Sequence, residues 1–161
     1  MRPHLLIFAA AVLVAAPAAA QNPSQIASVQ RGASCPGCNL FQADLTGLEA
    51  RGRNFSGARL QQSDMTAVVL NGANFSNANL RDVIAYGGVF SSASFAGADM
   101  TNSSWVGTYL EGANFAGANL TGADFSGAQM SRARGLTQRQ LDQACGDPTT
   151  ELPGSLRISS C

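Results

Sequence analysis

The chain has 161 residues, with ten bases against ten acids, no formal net charge, and 45% hydrophobic residues to which Ala contributes heavily. A balanced charge offers little to a polyanion such as nucleic acid, and an Ala-rich core must close by stacking small residues rather than by packing large ones. All the bases are Arg, and His4 is the only histidine, so a chain without its first residues lacks the usual general base and metal ligand.

Arg2 and His4 precede an apolar run from Leu5 to Ala16, and Pro17 with Ala18, Ala19 and Ala20 follows as a small-residue cleavage signature. Residues 1–20 therefore read as a cleavable export signal. About a dozen apolar residues fall short of the roughly 20 that a membrane-spanning helix needs. Residues 21–37 read as an N-terminal cap: Pro23 stands near the start of a short helix, Ile26 and Val29 lie three apart, and Gly32 follows them.

From Cys38 to Arg132 the sequence divides into 19 pentads without an insertion. The third residue of each is large and apolar in 17, as at Leu40, Leu45, Leu60 and Leu70, and Ala85 is one of the two exceptions. The first is small in most, as at Ala43, Ala58, Ala73 and Ala78, and Gly closes 11 of the 19. A period of five is neither the 3.6 of a helix nor the 2 of a long strand, so the chain must turn once per pentad. Small and large positions two apart share one side of an extended segment, while the Asn or Asp common between them faces out. The frequent Gly permits the bend.

At an interval of 20, Phe55, Phe75, Phe95 and Phe115 recur, as do Leu40, Leu60, Leu80, Met100 and Leu120. Four pentads per turn would stack like on like, giving a square coil of nearly five turns and roughly 23 Å. Trp105 and Ala85 fall on one side a turn apart, so the small residue leaves room for the indole. The units A-N-F-S-N, A-N-L-R-D, A-D-M-T-N, A-N-F-A-G, A-N-L-T-G and A-D-F-S-G resemble those of pentapeptide repeat proteins over about 95 residues. The resemblance implies a right-handed quadrilateral β-helix, an all-β solenoid, and the flanking residues read as short helical caps at both ends. The DNA-like negative charge of the quinolone-resistance members does not carry over to this neutral chain. Leu48, Arg53, Val68 and Val83 stand where a small residue is expected, which predicts local bulges.

Residues 133–161 read as a C-terminal capping helix and tail. Thr137 and Gln140 are spaced as a capping box, Leu136 and Leu141 as a hydrophobic staple, and Gly146 is placed to end the helix. Cys35, Cys38, Cys145 and Cys161 form an even set in an exported chain, so disulfides are expected. Bridged Cα atoms lie within about 7 Å, whereas the rod holds its ends some 20 Å apart, which leaves Cys35–Cys38 and Cys145–Cys161 unless the tail folds back. Zinc is disfavoured because two of the four thiols are at the far end.

The carboxylate pairs Asp147 with Glu151 and Asp142 with Asp147 read as solvated surface rather than as catalytic dyads. No cofactor, metal, nucleic acid or membrane span is expected. Among the outward positions, Ile84, Tyr86 and Val106 on one side, and Val69, Val89 and Tyr109 on the next, make an apolar patch in a polar coat. Either the tail or the N-terminal helix covers it, or it meets an unidentified protein or a second copy. Arg51, Arg53 and Arg59 form a smaller basic cluster near the first turns, read as a solvated face. The functional expectation is a non-catalytic structural or protein-binding module, periplasmic or secreted. The alternative is a thiol-disulfide redox protein using Cys35 and Cys38.

Overall fold

The computed structural model describes residues 20–161; the expected export signal, Ala20 apart, lies outside the described residues. The pentads wind into a coil whose successive turns pair in parallel at an interval of twenty residues, as in Asn39 with Arg59, Arg59 with Asn79 and Asn79 with Asp99. Regular strands are scarce because each pentad spends only its second residue on such a bridge before it turns. Two backbone bonds hold each bridge: Leu40 N–H donates to the Arg59 carbonyl, and Arg59 N–H to the Cys38 carbonyl. Nearly every corner is closed within the turn, as where Ala43 N–H donates to the Leu40 carbonyl.

The corner residue takes a positive φ, the pattern of a type II turn. Gly supplies it at most corners, but Gln42, Gln62, Ala67, Asn77, Asp82, Ser92 and Asn102 adopt the same conformation, at φ values from 53° to 60°. The repeat therefore imposes the turn where the local residue does not prefer it, because the ladder bonds above and below leave no other path.

Inside, the large residues form four ladders. Phe55, Phe75, Phe95 and Phe115 stack ring on ring, with centroids 5.2, 5.4 and 5.3 Å apart. The other sides are not independent of this ladder. Phe90 and Trp105 meet Phe95 edge-on, at 5.9 and 5.1 Å, and each other at 5.1 Å. Gly88 leaves space for the Phe90 ring, which lies 2.6 Å from where a Cβ would stand. Trp105 is fully buried, and its Nε1–H donates to Ser103 Oγ at 2.7 Å.

The expected bulges do not occur. Val68 and Val83 are buried and the bridges Val69 with Val89 and Ile84 with Ser104 run through unbroken. Volume is exchanged locally: Val68 lies one turn below Gly88, and Val83 shares its side with Ala85. Leu48 is half-buried, and Arg53 is exposed while its carbonyl still accepts from Asn74.

At both ends the coil extends past the limits read from the sequence. The coil begins one pentad before Cys38. Cys35 N–H donates to the Asn54 carbonyl, Gly37 N–H to that of Ser56, and Cys38 N–H closes the corner on Cys35. Cys35 thus stands directly below Phe55, where a large residue would be. Helix α1 (Pro23–Gln30) starts with Asn22 accepting from Gln25 N–H and buries Val29. Its Gln25 carboxamide accepts from Asn39 N–H and its Gln30 donates to the Asp44 carbonyl, so the first turn's open backbone groups are met by side chains.

At the other end α2 is a single turn, Gln138–Leu141, closed by a capping box between Thr137 and Gln140. Gly146 does not end it. The chain instead resumes the coil: Cys145 pairs with Asp124 and Glu151 with Gln129, one turn above each. Strand β1 (Cys145–Gly146) then receives β2 (Ser159–Ser160) in parallel. Gly146 is buried against Thr150 and Ile158, with no room for a Cβ. The register had slipped by one and two residues past the regular repeat, which hid this last turn from the pattern. Among the described residues no helix is long and apolar enough to cross a membrane.

Candidate interaction surface

The six outward apolar residues come together around one corner of the coil. Ile84 lies between Asp64 and Ser104 on its ladder; Val69, Val89 and Tyr109 succeed one another on the next side, between Glu49 and Gln129. Ile84, Tyr86 and Tyr109 are 51%, 58% and 44% exposed and are the large hydrophobic residues that the described chain leaves in solvent. Val69, Val89 and Val106 are half-buried between them. The tail does not lie over this corner. It stacks on the end of the coil, tied by Gln138 Nε2–H to the Arg157 carbonyl and by Arg157 N–H to Gln138 Oε1. Helix α1 bonds the opposite end.

The titratable groups serve the fold. Asp147 accepts from Gly127 N–H at 3.1 Å, Thr149 N–H at 2.8 Å and Thr149 Oγ1–H at 2.7 Å, pinning the tail to the last regular turn. The Thr149 hydroxyl is the main cause of its lowered pKa. Asp142 accepts from Gln138, and Glu151 continues a ladder, so the two carboxylate pairs singled out in the sequence are parts of the end structure. Glu111 also titrates below its ordinary range, chiefly through the Ser131 hydroxyl, and binds Arg132 at 3.0 Å. Asp44 is lowered by the Thr46 backbone N–H.

Cys35 bridges Cys38, with Cα atoms 5.4 Å apart, and Cys145 bridges Cys161, at 4.8 Å. Cys35 and Cys38 are each 8% exposed and belong to the core at the base of the coil, unlike the partly exposed, electropositive setting of reactive thiols. Asp124 Oδ1 lies 3.2 Å from Cys161 Sγ, but both sulfurs there are committed to a bridge, which leaves no thiolate to ligate a metal. Arg51, Arg53 and Arg59 are exposed, as the solvated reading expects. A hollow of about 650 Å³ between α1 and the first turn, lined by Arg31, Asp44, Leu45, Leu48 and Glu49 among others, was not foreshadowed. It arises from the tertiary meeting of helix and coil.

A five-residue-periodic solenoid with an aromatic core is the class of protein that these features define. The family model for pentapeptide repeats matches residues 51–84 and 106–134 in eight copies. The chain belongs to the pentapeptide repeat family. The coil runs through the unmatched interval between those segments without a break. A pentapeptide repeat protein from the Arabidopsis thaliana thylakoid lumen is 30% identical over 62% of this chain and 69% of its own, with a TM-score of 0.45. Trypsin-treated QnrB1, a plasmid-mediated fluoroquinolone resistance protein, is 19% identical over 66% of this chain and 56% of its own, with a TM-score of 0.47. Rfr23 from the cyanobacterium Cyanothece 51142 is 21% identical over 81% and 98%, with a TM-score of 0.38. The chain thus spans little more than half of the QnrB1 form. No curated protein matches it.

Proposed function

We propose that this protein is a non-catalytic binding module of the exported fraction, periplasmic or secreted. In this reading its right-handed quadrilateral β-helix is a rigid support closed at both ends by helical caps, and residues 1–20 are removed on export. The observation that carries the reading is the exposure of Ile84, Tyr86 and Tyr109 on adjoining sides, in a coat that is otherwise mostly polar. Burying such residues is favourable, at roughly 25 cal/mol per Å² of apolar surface, and here no described part of the chain does so. Rigid solenoids present surfaces without the cost of ordering a loop.

The test is the double substitution Tyr86→Ser/Tyr109→Ser. Both side chains lie outside the core, so the variant keeps the near-ultraviolet signal of buried Trp105 and its unfolding midpoint. It loses partners that the parent protein retains when exported-fraction extracts are passed over it. Equal retention by parent and variant defeats the proposal.

A further inference from the structure

The inference rests on the reading above, that the apolar corner binds a protein, and adds the chemistry of what it binds. At the corner itself stand Gly87 and Gly107, where no atom lies within 4 Å of a Cβ placed on either. The chain there turns around a filled core, so the surface is convex and bare of side chains, with Tyr86 and Val106 on one flank and Val89 and Tyr109 on the other. A ridge of this kind is matched by a cleft, since a flat partner would touch the crest alone.

Charge narrows the choice further. In residues 63–72, 83–92 and 103–112, which form the two sides at this level, the charged residues are Asp64 and Glu111. Asp82 is exposed at the neighbouring corner, and Asp124 stands above Ser104 on the Ile84 ladder. Glu111 is balanced by Arg132, and Arg81 is turned toward Asp99 at 3.6 Å. Among the described residues no Arg pairs with Asp64, Asp82 or Asp124. Glu49 and Arg51 stand one turn below Val69 and Asn71, so carboxylates outnumber bases around the apolar corner. A second copy presenting the same face would bring those carboxylates against their own counterparts, which opposes docking.

We propose that the corner formed by Tyr86, Gly87, Val89, Val106, Gly107 and Tyr109 inserts into an apolar cleft of a different protein whose rim carries Lys or Arg. The rim charges set orientation and encounter rate, while the Tyr and Val side chains supply the buried area.

The full exported chain is run on two phenyl resins at low salt, one bearing amines and the other carboxylates. The parent is held by the amine resin and released by salt, and it passes through the carboxylate resin. Asp64→Asn/Asp82→Asn, which keeps the Oδ1 that accepts from Thr66 N–H, elutes early from the amine resin, and Asp142→Asn, just past α2, elutes with the parent. Equal retention on both resins, or no response to the rim substitutions, overturns the proposal while leaving the corner as a binding surface. Full retention of Tyr86→Ser/Tyr109→Ser overturns the underlying reading as well. A dimer in sedimentation that this variant abolishes assigns the corner to a second copy and also overturns the proposal.

Discussion

Trp105 is the residue for which the coil makes the most adjustments. Its volume is absorbed by Ala85 below it and by the Phe90 ring folded over Gly88, and its one polar atom is met by Ser103, itself buried and donating to the Met100 carbonyl. Ser103 stands where most pentads carry Ala, so the sequence records it as an ordinary small residue. Its hydroxyl is nevertheless what allows an indole N–H into a dry interior. Ser103→Ala leaves that donor unpaired and should cost about 1–3 kcal/mol. Denaturant unfolding followed by Trp105 emission measures it, and an unchanged midpoint would show that the hydroxyl is dispensable.

At the scale of elements, the C-terminal segment is held by three devices rather than by its own propensity. The one-turn α2 places Gln140 Nε2 on the Phe115 and Ala118 carbonyls, Asp147 pins the start of the next rung, and Cys145–Cys161 ties the tail end to that rung. The bridge closes a sequence separation of 16, so Cys145→Ser/Cys161→Ser should destabilise by roughly 3 kcal/mol. Hydrogen exchange should place the loosening at Cys145, Glu151 and Cys161, whose N–H groups close the extra turn. Cys161 is exposed whereas Cys35 and Cys38 are buried, so stepwise reduction with alkylation should open Cys145–Cys161 first.

Acid acts on the same end. The Asp147 pKa is depressed in the native state, so its contribution is present above the ordinary carboxylate pKa and is lost as pH falls through the native value. Stability should therefore drop below about pH 4. Asp147→Asn should narrow the gap between urea midpoints at neutral and acid pH; a gap of unchanged size would remove Asp147 from the account. Asp44 and Glu111, lowered likewise, add to the acid loss in the parent.

For the molecule as a whole, the centre of the rod is one aromatic cluster and not four separate ladders. Phe95 touches Phe75 below, Phe115 above, and Phe90 and Trp105 across the coil. Phe95→Ala removes contacts from three consecutive turns and should cost about 3–5 kcal/mol. Differential scanning calorimetry should show one lowered transition. Two separated transitions would mean that the two halves fold independently of this ring. The same rigidity lets an outer corner such as that at Gly87 and Gly107 hold Tyr86 and Tyr109 in place.

The period of five was legible because one rule, small then large two residues later, repeats until Met130, and every violation is outvoted by its neighbours. It sufficed to place the Phe ladder, the inward Trp105 and the outward Tyr86 and Tyr109, since inward and outward alternate along any extended segment. At the ends the two disulfides and the Thr137–Gln140 capping box were legible, whereas the extra rungs were not. Cys35 takes a rung position in place of the large residue that marks a pentad, and the last turn, at Cys145 and Glu151, is out of step by a residue or two. Their places are settled by unpaired backbone groups on the neighbouring turn, a demand that exists only once that turn has formed. Periodicity is a local property that a chain carries in its letters, whereas the closing of an open coil depends on which N–H and C=O groups folding has already left exposed.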